Sequence, residues 1–306
     1  MADAPVGVLL MAYGTPRNLG EVEAYYTDIR RGRKPPPELL DQLIGRYKAI
    51  GGLSPLQQIT QAQAEGVQAR LGGSYRVYTG MKHAPPFIAD TVACMAADGL
   101  REAVALTLAP HYSAMSVGTY IERAKAATAG TGLHFRCVRS WHLHPQYLQL
   151  LADRVRAALA RLEAAEREGA MVIFSAHSLP ERIISQGDPY PRQLHETGDA
   201  VARLLGLPRH TFAWQSAGRT QEPWLGPDIT ALLRDLSGRG YRALVSCPCG
   251  FVADHLEVLY DIDIECQALA RELGVRLVRT TMPNADPAFL DSLAAIVRER
   301  HAGGEA

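Results

Sequence analysis

The chain has 306 residues, with 32 basic and 32 acidic side chains giving zero formal charge at pH 7, and 47% apolar residues. That length allows two ordinary domains or one large one, and the balanced charge lacks the basic excess expected of a nucleic-acid binder. Residues 6–13 are apolar but follow a start with no basic residue and are too short to span a bilayer, so neither a signal peptide nor a membrane segment is expected.

In chain order, the apolar run at residues 6–12 reads as a central strand of a parallel sheet. It ends in Tyr13-Gly14-Thr15-Pro16, a turn at the kind of strand end where α/β proteins place ligands. A helix over 20–31 meets Arg30-Arg31-Gly32-Arg33-Lys34 and three prolines, which no helix continues through. Those four cations serve either as a solvated loop or as a clamp for carboxylates or phosphates. After a helix over 37–48, Gly51-Gly52-Leu53-Ser54-Pro55 reads as a mobile lip over a pocket or as plain tight turns.

Helices over 57–71, 86–97 and 115–129 then alternate with strands over 75–79, 103–108 and 134–138, the signature of a doubly wound sheet. One long amphipathic helix over 145–167 is expected to connect the halves. The second half opens like the first, with an apolar strand over 170–176 ending in His177-Ser178-Leu179-Pro180. Helix 191–205, strand 211–215, helix 227–236, strand 242–246, an acidic helix, strand 276–279 and helix 287–300 complete it. The expected fold is α/β: two Rossmann-like domains, residues 1–150 and 151–306, facing each other across a cleft, with the last helix packing back on the first domain.

The acidic helix is expected over residues 250–265. At about 100° per residue, Asp254, Glu257, Asp261 and Glu265 share a sector about 80° wide while most of the remaining circumference is apolar. A helix of that kind is usually buried, and its carboxylates then need a cleft, a cation or a partner. The alternatives are an ordinary solvated acidic face or a path for a metal ion or protons. His177, at a strand end, is either a buried structural histidine or the partner of Glu257. Such a pair could bind a borderline divalent metal such as Fe²⁺ through nitrogen and oxygen, or relay protons. Ser175 and Ser178 beside it suggest a hydrolase, but the Gly-x-Ser-x-Gly elbow is missing. The five cysteines fit a reducing cytoplasm. Cys247 and Cys249 flank a proline without a complete ligand set for zinc or a cluster, so structural thiols are the favoured reading.

The first-strand turn, the Arg30–Lys34 run, the Gly51-Gly52-Leu53-Ser54-Pro55-Leu56 loop, Ser175-Ala176-His177-Ser178 and Asp254-His255-Leu256-Glu257 together resemble the ferrochelatase family over essentially the whole chain. Most similar is its bacterial coproporphyrin III branch, which Ala12-Tyr13-Gly14 favours. The resemblance implies a chelatase-like fold with a porphyrin cleft. It also implies a lyase of haem biosynthesis that inserts Fe²⁺ into coproporphyrin III and releases two protons. His177 and Glu257 would be the catalytic and metal-site pair, with the proton acceptor left open, and Asp261 and Glu265 the outer carboxylates. Tyr13 would approach the product iron from the opposite face, and Arg30, Arg46, Tyr47, Ser54 and Tyr120 would contact the tetrapyrrole. Fe²⁺ is then a substrate and no permanent cofactor is implied. A cytoplasmic monomer that hands its product to a haem-pathway enzyme is expected. Protoporphyrin IX as substrate, another metal, or a non-catalytic haem carrier are the alternatives.

Overall fold

Eight short strands, most of them apolar and buried, build two parallel four-stranded sheets. The computed structural model describes residues 5–218 and 220–303; residues 1–4, part of the segment read above for a leader, lie outside it. The first sheet contains β1 (Val6–Ala12), β2 (Tyr75–Met81), β3 (Glu102–Thr107) and β4 (His134–Cys137), in the order β2-β1-β3-β4. The second contains β5 (Met171–His177), β6 (His210–Gln215), β7 (Ala243–Cys247) and β8 (Arg276–Arg279), in the order β6-β5-β7-β8. The same topology is therefore built twice. Each strand pair is parallel, so each connection is a crossover carrying helix.

The helices of the first half are α1 (Val22–Ile29), α2 (Pro37–Ala49), α3 (Leu56–Leu71), α4 (Ile88–Ala97) and α5 (Val117–Ala127). Those that follow are α6 (Pro145–Ala160), α7 (Ala164–Glu168), α8 (Arg182–Ser185), α9 (Tyr190–Leu205), α10 (Ile229–Gly238), α11 (Gln267–Glu272) and α12 (Pro287–His301). Proline at the first position starts α2, α6 and α12, where its missing N–H costs nothing.

The connector is not one helix. It breaks between α6 and α7, where Leu162 turns into the core and extended Glu163 caps α7 in a capping box with Glu166. The helical periodicity runs through this point, so the break is invisible to it.

One hydrophobic core crosses both halves, joining Val8, Leu10 and Leu106 to Phe174 and Val245 through Trp141, Tyr147 and Phe289. α12 lies on α3 of the first half, held by Arg70 to Asp291, by Arg70 Nη2 to the Pro287 carbonyl (3.2 Å) and by Tyr75 Oη to His301 Nδ1 (2.8 Å).

The acidic segment also departs from the expected helix. Residues 250–255 form a loop, and a π-helix occupies Val258–Cys266 with Glu257 at its N-cap. Hydrogen bonds from i to i+5 widen the turn, and such segments concentrate at functional sites.

Candidate active site

In each sheet the strand order reverses beside the first strand, between β1 and β3 and between β5 and β7. Open α/β sheets bind ligands at the C-terminal ends of the strands flanking such a point. Here the two switch points face one cavity of about 560 Å³. Tyr13 follows β1, His177 ends β5, and Glu257 closes the loop after β7; all three line the cavity.

Glu257 is brought to His177 by backbone stitching. Gly250 N–H donates to the Ser175 carbonyl at 3.0 Å. A Cβ on Gly250 would stand 2.4 Å from Ala176 Cβ and 2.7 Å from its Cα, so only glycine permits this approach. His177 Nδ1–H donates to the Ser178 carbonyl, which turns Nε2 toward Glu257 Oε1 at 3.4 Å. The other carboxylate oxygen lies 3.7 Å from His255 Nε2.

Burial alone would lower the His177 pKa, but the facing Glu257 carboxylate and the Ser178 carbonyl outweigh it and raise the pKa to about 9. Burial works against the Glu257 charge as well, yet the two imidazoles hold it well below the usual carboxylate range. At neutral pH the pair is therefore an imidazolium facing a carboxylate, and about a third of each side chain (32% and 34%) is open to the cavity.

Asp261 lies one turn along, only 6% exposed. It accepts from Ser216 Oγ and from Arg46 Nη1 at 3.3 Å. Burial and the charge of Glu257 outweigh the Ser216 hydrogen bond and the Arg46 charge, which favour the carboxylate, and leave its pKa raised to about 6. Glu265 is further out, 3.9 Å from Arg46 Nη2. Arg46 comes from α2 of the first half, lines the cavity, crosses to this acidic row and lies over the Tyr260 ring at 4.7 Å.

Asp254 does not belong to the row. The loop before the π-helix turns it away, and it pairs with Arg279 Nη2 at 3.1 Å and accepts from Asn284 Nδ2 at 2.7 Å.

On the wall built by the first half of the chain, Tyr13 is half-exposed, with its ring 4.6 Å from that of His83. Burial, then the charge of Glu257, raise its pKa well above the ordinary value, so the phenol keeps its proton. Tyr47, Ser54 and Tyr120 line the same cavity. Arg30 does not. It sits behind Tyr26, its guanidinium 5.7 Å from that ring and its Nε buried without a hydrogen-bond partner. Lys34 of the same basic run is paired with Glu23 at 3.2 Å.

Sequence reasoning missed Lys82, which lines the cavity 4.9 Å from the Tyr120 ring and 6.0 Å from the Tyr13 ring. Burial, then Arg123 and Arg31, lower its pKa to about 8. It directly follows β2, so the strand-end rule that picked Tyr13 and His177 would have found it had the strand been read to Met81. His255 and Tyr190 were missed too, each on a helix approach rather than a strand end.

Ser175 and Ser178 are structural. Ser175 Oγ donates to Gln215 Oε1 (3.0 Å) and Ser178 Oγ to the Leu225 carbonyl (2.9 Å), and both are buried. Cys247 and Cys249 are buried free thiols, with burial pushing Cys247 up to about 12. Among the described residues no helix is long and apolar enough to cross a membrane.

The ferrochelatase family model matches residues 5–301. A coproporphyrin III ferrochelatase of Geobacillus thermodenitrificans is 50% identical over 98% of this chain and 97% of its own length. The coproporphyrin III ferrochelatase of Bacillus subtilis is 48% identical over 98% of this chain and 99% of its own. Among solved structures, SirB from Bacillus subtilis with Fe³⁺ superposes with a TM-score of 0.64 over 98% of this chain and 96% of its own, at 13% identity, a likeness of fold alone.

Proposed function

The chain belongs to the ferrochelatase family, and on that premise we propose that it inserts Fe²⁺ into coproporphyrin III in haem biosynthesis, with His177 and Glu257 delivering the metal and handling the protons. The observation that carries this reading is the His177 Nε2 to Glu257 Oε1 approach of 3.4 Å inside a cavity at both switch points. Relatives at about half identity over nearly their whole length that are named coproporphyrin III ferrochelatases support the substrate.

The chemistry follows from the charges. A flat free-base macrocycle keeps its lone pairs in plane and carries two N–H groups, so a cleft that bends it exposes the lone pairs at the expense of peripheral binding. Fe²⁺ arriving at Nε2 displaces the proton that the pair holds at neutral pH, which leaves to the solvent of the open cavity as the first of the two protons released. Two protein donors leave most of its coordination sphere open, which suits a passing ion. As the ion moves into the ring, the emptied His177–Glu257 pair takes one pyrrole proton on Nε2, the site with the raised affinity. The second leaves toward Asp261, whose raised pKa suits it to hold and release a proton near neutrality. Glu265 lies at the outer end of that row.

The macrocycle lies between Tyr13 and His177, over Tyr47, Ser54 and Tyr120. Tyr13, held as a neutral phenol, is a weak axial partner for the product iron and lets it go. Arg46 and Lys82 are the cations on the wall for propionates. Arg30, set back behind Tyr26, would meet only a propionate projecting past that ring. The five free cysteines support a reducing, cytoplasmic setting.

Anaerobic mixing with Fe²⁺ and either coproporphyrin III or protoporphyrin IX, followed by the porphyrin absorption bands, tests the reading. Rapid conversion of coproporphyrin is expected. Preference for protoporphyrin would overturn the substrate, and tight binding of both without turnover would overturn the enzyme.

A further inference from the structure

The start of α9 reaches across from the second half to the first. Asp188, just before the helix, accepts at Oδ2 from Ser113 Oγ (2.9 Å) and from the Ala114 N–H (2.8 Å). Its other oxygen accepts from the Tyr190 N–H at 3.0 Å. Gln193 Oε1 accepts from the Tyr112 N–H (2.6 Å) and from Ser140 Oγ (3.2 Å). One turn on, Thr197 Oγ1 meets His111 Nε2 at 2.8 Å. Side chains at one end of one helix thus hold His111, Tyr112, Ser113 and Ala114, the loop after β3. That loop continues into Met115, Ser116 and then Tyr120, all on the cavity wall. The same helix also holds the opposite side: Tyr190 Oη donates to the His177 carbonyl at 2.9 Å, and its ring packs on Trp214 at 5.4 Å.

We propose that Asp188, Gln193 and Tyr190 are positioning residues that refer both walls of the cleft, the first-domain porphyrin wall and the His177 strand end, to one rigid helix turn. This rests on the chelatase reading. Metal transfer into a macrocycle demands that the donor nitrogen and the opposing wall keep a fixed separation, because misplacement by about 1 Å costs orders of magnitude in rate. The carboxylate suits the task. It accepts three hydrogen bonds on two oxygens, whereas an asparagine has one acceptor oxygen and would turn an NH₂ against one set of donors. The two arms act on different substrates. Loosening the Asp188 arm moves the wall that holds the porphyrin, and loosening the Tyr190 arm moves the ligand that holds the metal.

Steady-state kinetics on the full chain, varying Fe²⁺ and coproporphyrin III separately under anaerobic conditions, separates the arms. Asp188→Asn is expected to raise KM for the porphyrin about tenfold while KM for Fe²⁺ changes less than about twofold. Tyr190→Phe, which keeps the ring, is expected to leave the porphyrin KM in place and lower kcat/KM for Fe²⁺ about tenfold. Ser113→Ala removes a single donor and should move the porphyrin KM about threefold in the same direction, which keeps the test alive if Asp188→Asn does not fold. Unchanged constants in all variants would overturn the proposal. So would a common fall in kcat with both KM values intact and a lower Tm, the mark of mere structural loss. Absence of insertion by the wild type would instead bring down the chelatase reading. The wall is then tested by porphyrin fluorescence quenching, where unaltered affinity in Asp188→Asn would overturn it.

Discussion

Tyr13 and His177 occupy equivalent places in the two halves of the molecule, one immediately after β1 and the other closing β5, each at the switch point of a sheet with the same strand order. Folding the same topology twice brings a phenol and an imidazole to opposite walls of one cavity. The two walls differ in charge: the His177 side carries Glu257 and the acidic row behind it, while the Tyr13 side carries Lys82. On the proposed reading, a macrocycle between them meets the metal donors on one face and a neutral phenol on the other.

Glu257→Gln should abolish most turnover while leaving the cavity intact. The amide neither holds Fe²⁺ as a carboxylate does nor opposes the buried imidazolium. A fall in kcat of about 10²–10⁴ is expected, with porphyrin affinity by fluorescence quenching nearly unchanged. In the same variant, NMR titration of His177 should show its pKa dropping from about 9, since burial is then opposed only by the weaker pull of the Ser178 carbonyl and Asp261. Turnover within tenfold of wild type would rule out the carboxylate as a working group.

The pH dependence follows from the raised His177 pKa. Metal binding needs a neutral Nε2, and in the free protein the imidazole loses its proton only as pH approaches about 9. kcat/KM for the metal reports the free enzyme and should therefore climb from pH 6 toward a midpoint near 9, measured anaerobically. The contribution of the pair to stability runs the other way. Because the folded pKa is raised, that stabilisation is complete below the unfolded value and lost as pH rises through about 9, so Tm should fall there more in wild type than in His177→Ala. An acid limb at the ordinary histidine pKa would show that the free protein does not keep the pair formed.

Arg46 and Asp261 should couple. The pair spans the two halves at 3.3 Å, with Asp261 nearly buried. Urea unfolding of Arg46→Ala, Asp261→Asn and the double variant should give an interaction energy of about 1 kcal/mol. Additivity within about 0.3 kcal/mol would mean that in solution Arg46 is turned elsewhere.

The strands were legible because burial on both faces demands apolar runs such as residues 7–12 and 171–174, and strand ends in such sheets place ligands. That logic brought out Tyr13 and His177. The acidic row was legible only in part. Four-residue spacing puts Glu257, Asp261 and Glu265 near one another in a π-helix as in an α-helix, so the sequence pattern does not tell the two apart. Asp254, three residues before Glu257, would fall on the same face of a regular helix but sits in the loop, where Arg279, some 25 residues on in sequence, claims it. Long-range pairing of this sort leaves no periodic trace. Nor does the bridge from Asp188 to Ser113, since neither residue has a local pattern that names the other.

Gly250→Ala is the smallest change that should separate His177 from Glu257. The added methyl meets Ala176 backbone at 2.7 Å as well as its side chain, and backbone yields far less readily than the end of a flexible side chain. Relief requires the loop after β7 to lift from β5, breaking the Gly250 N–H to Ser175 hydrogen bond and carrying Glu257 away from its 3.4 Å approach. A loss of about 1–3 kcal/mol in urea unfolding is expected. Metal insertion should fall further than stability alone explains, because the remaining folded protein presents a displaced carboxylate. The His177 pKa reports that displacement directly. It should decrease in Gly250→Ala, and a value still near 9 with wild-type turnover would show that the loop absorbs the methyl without moving Glu257.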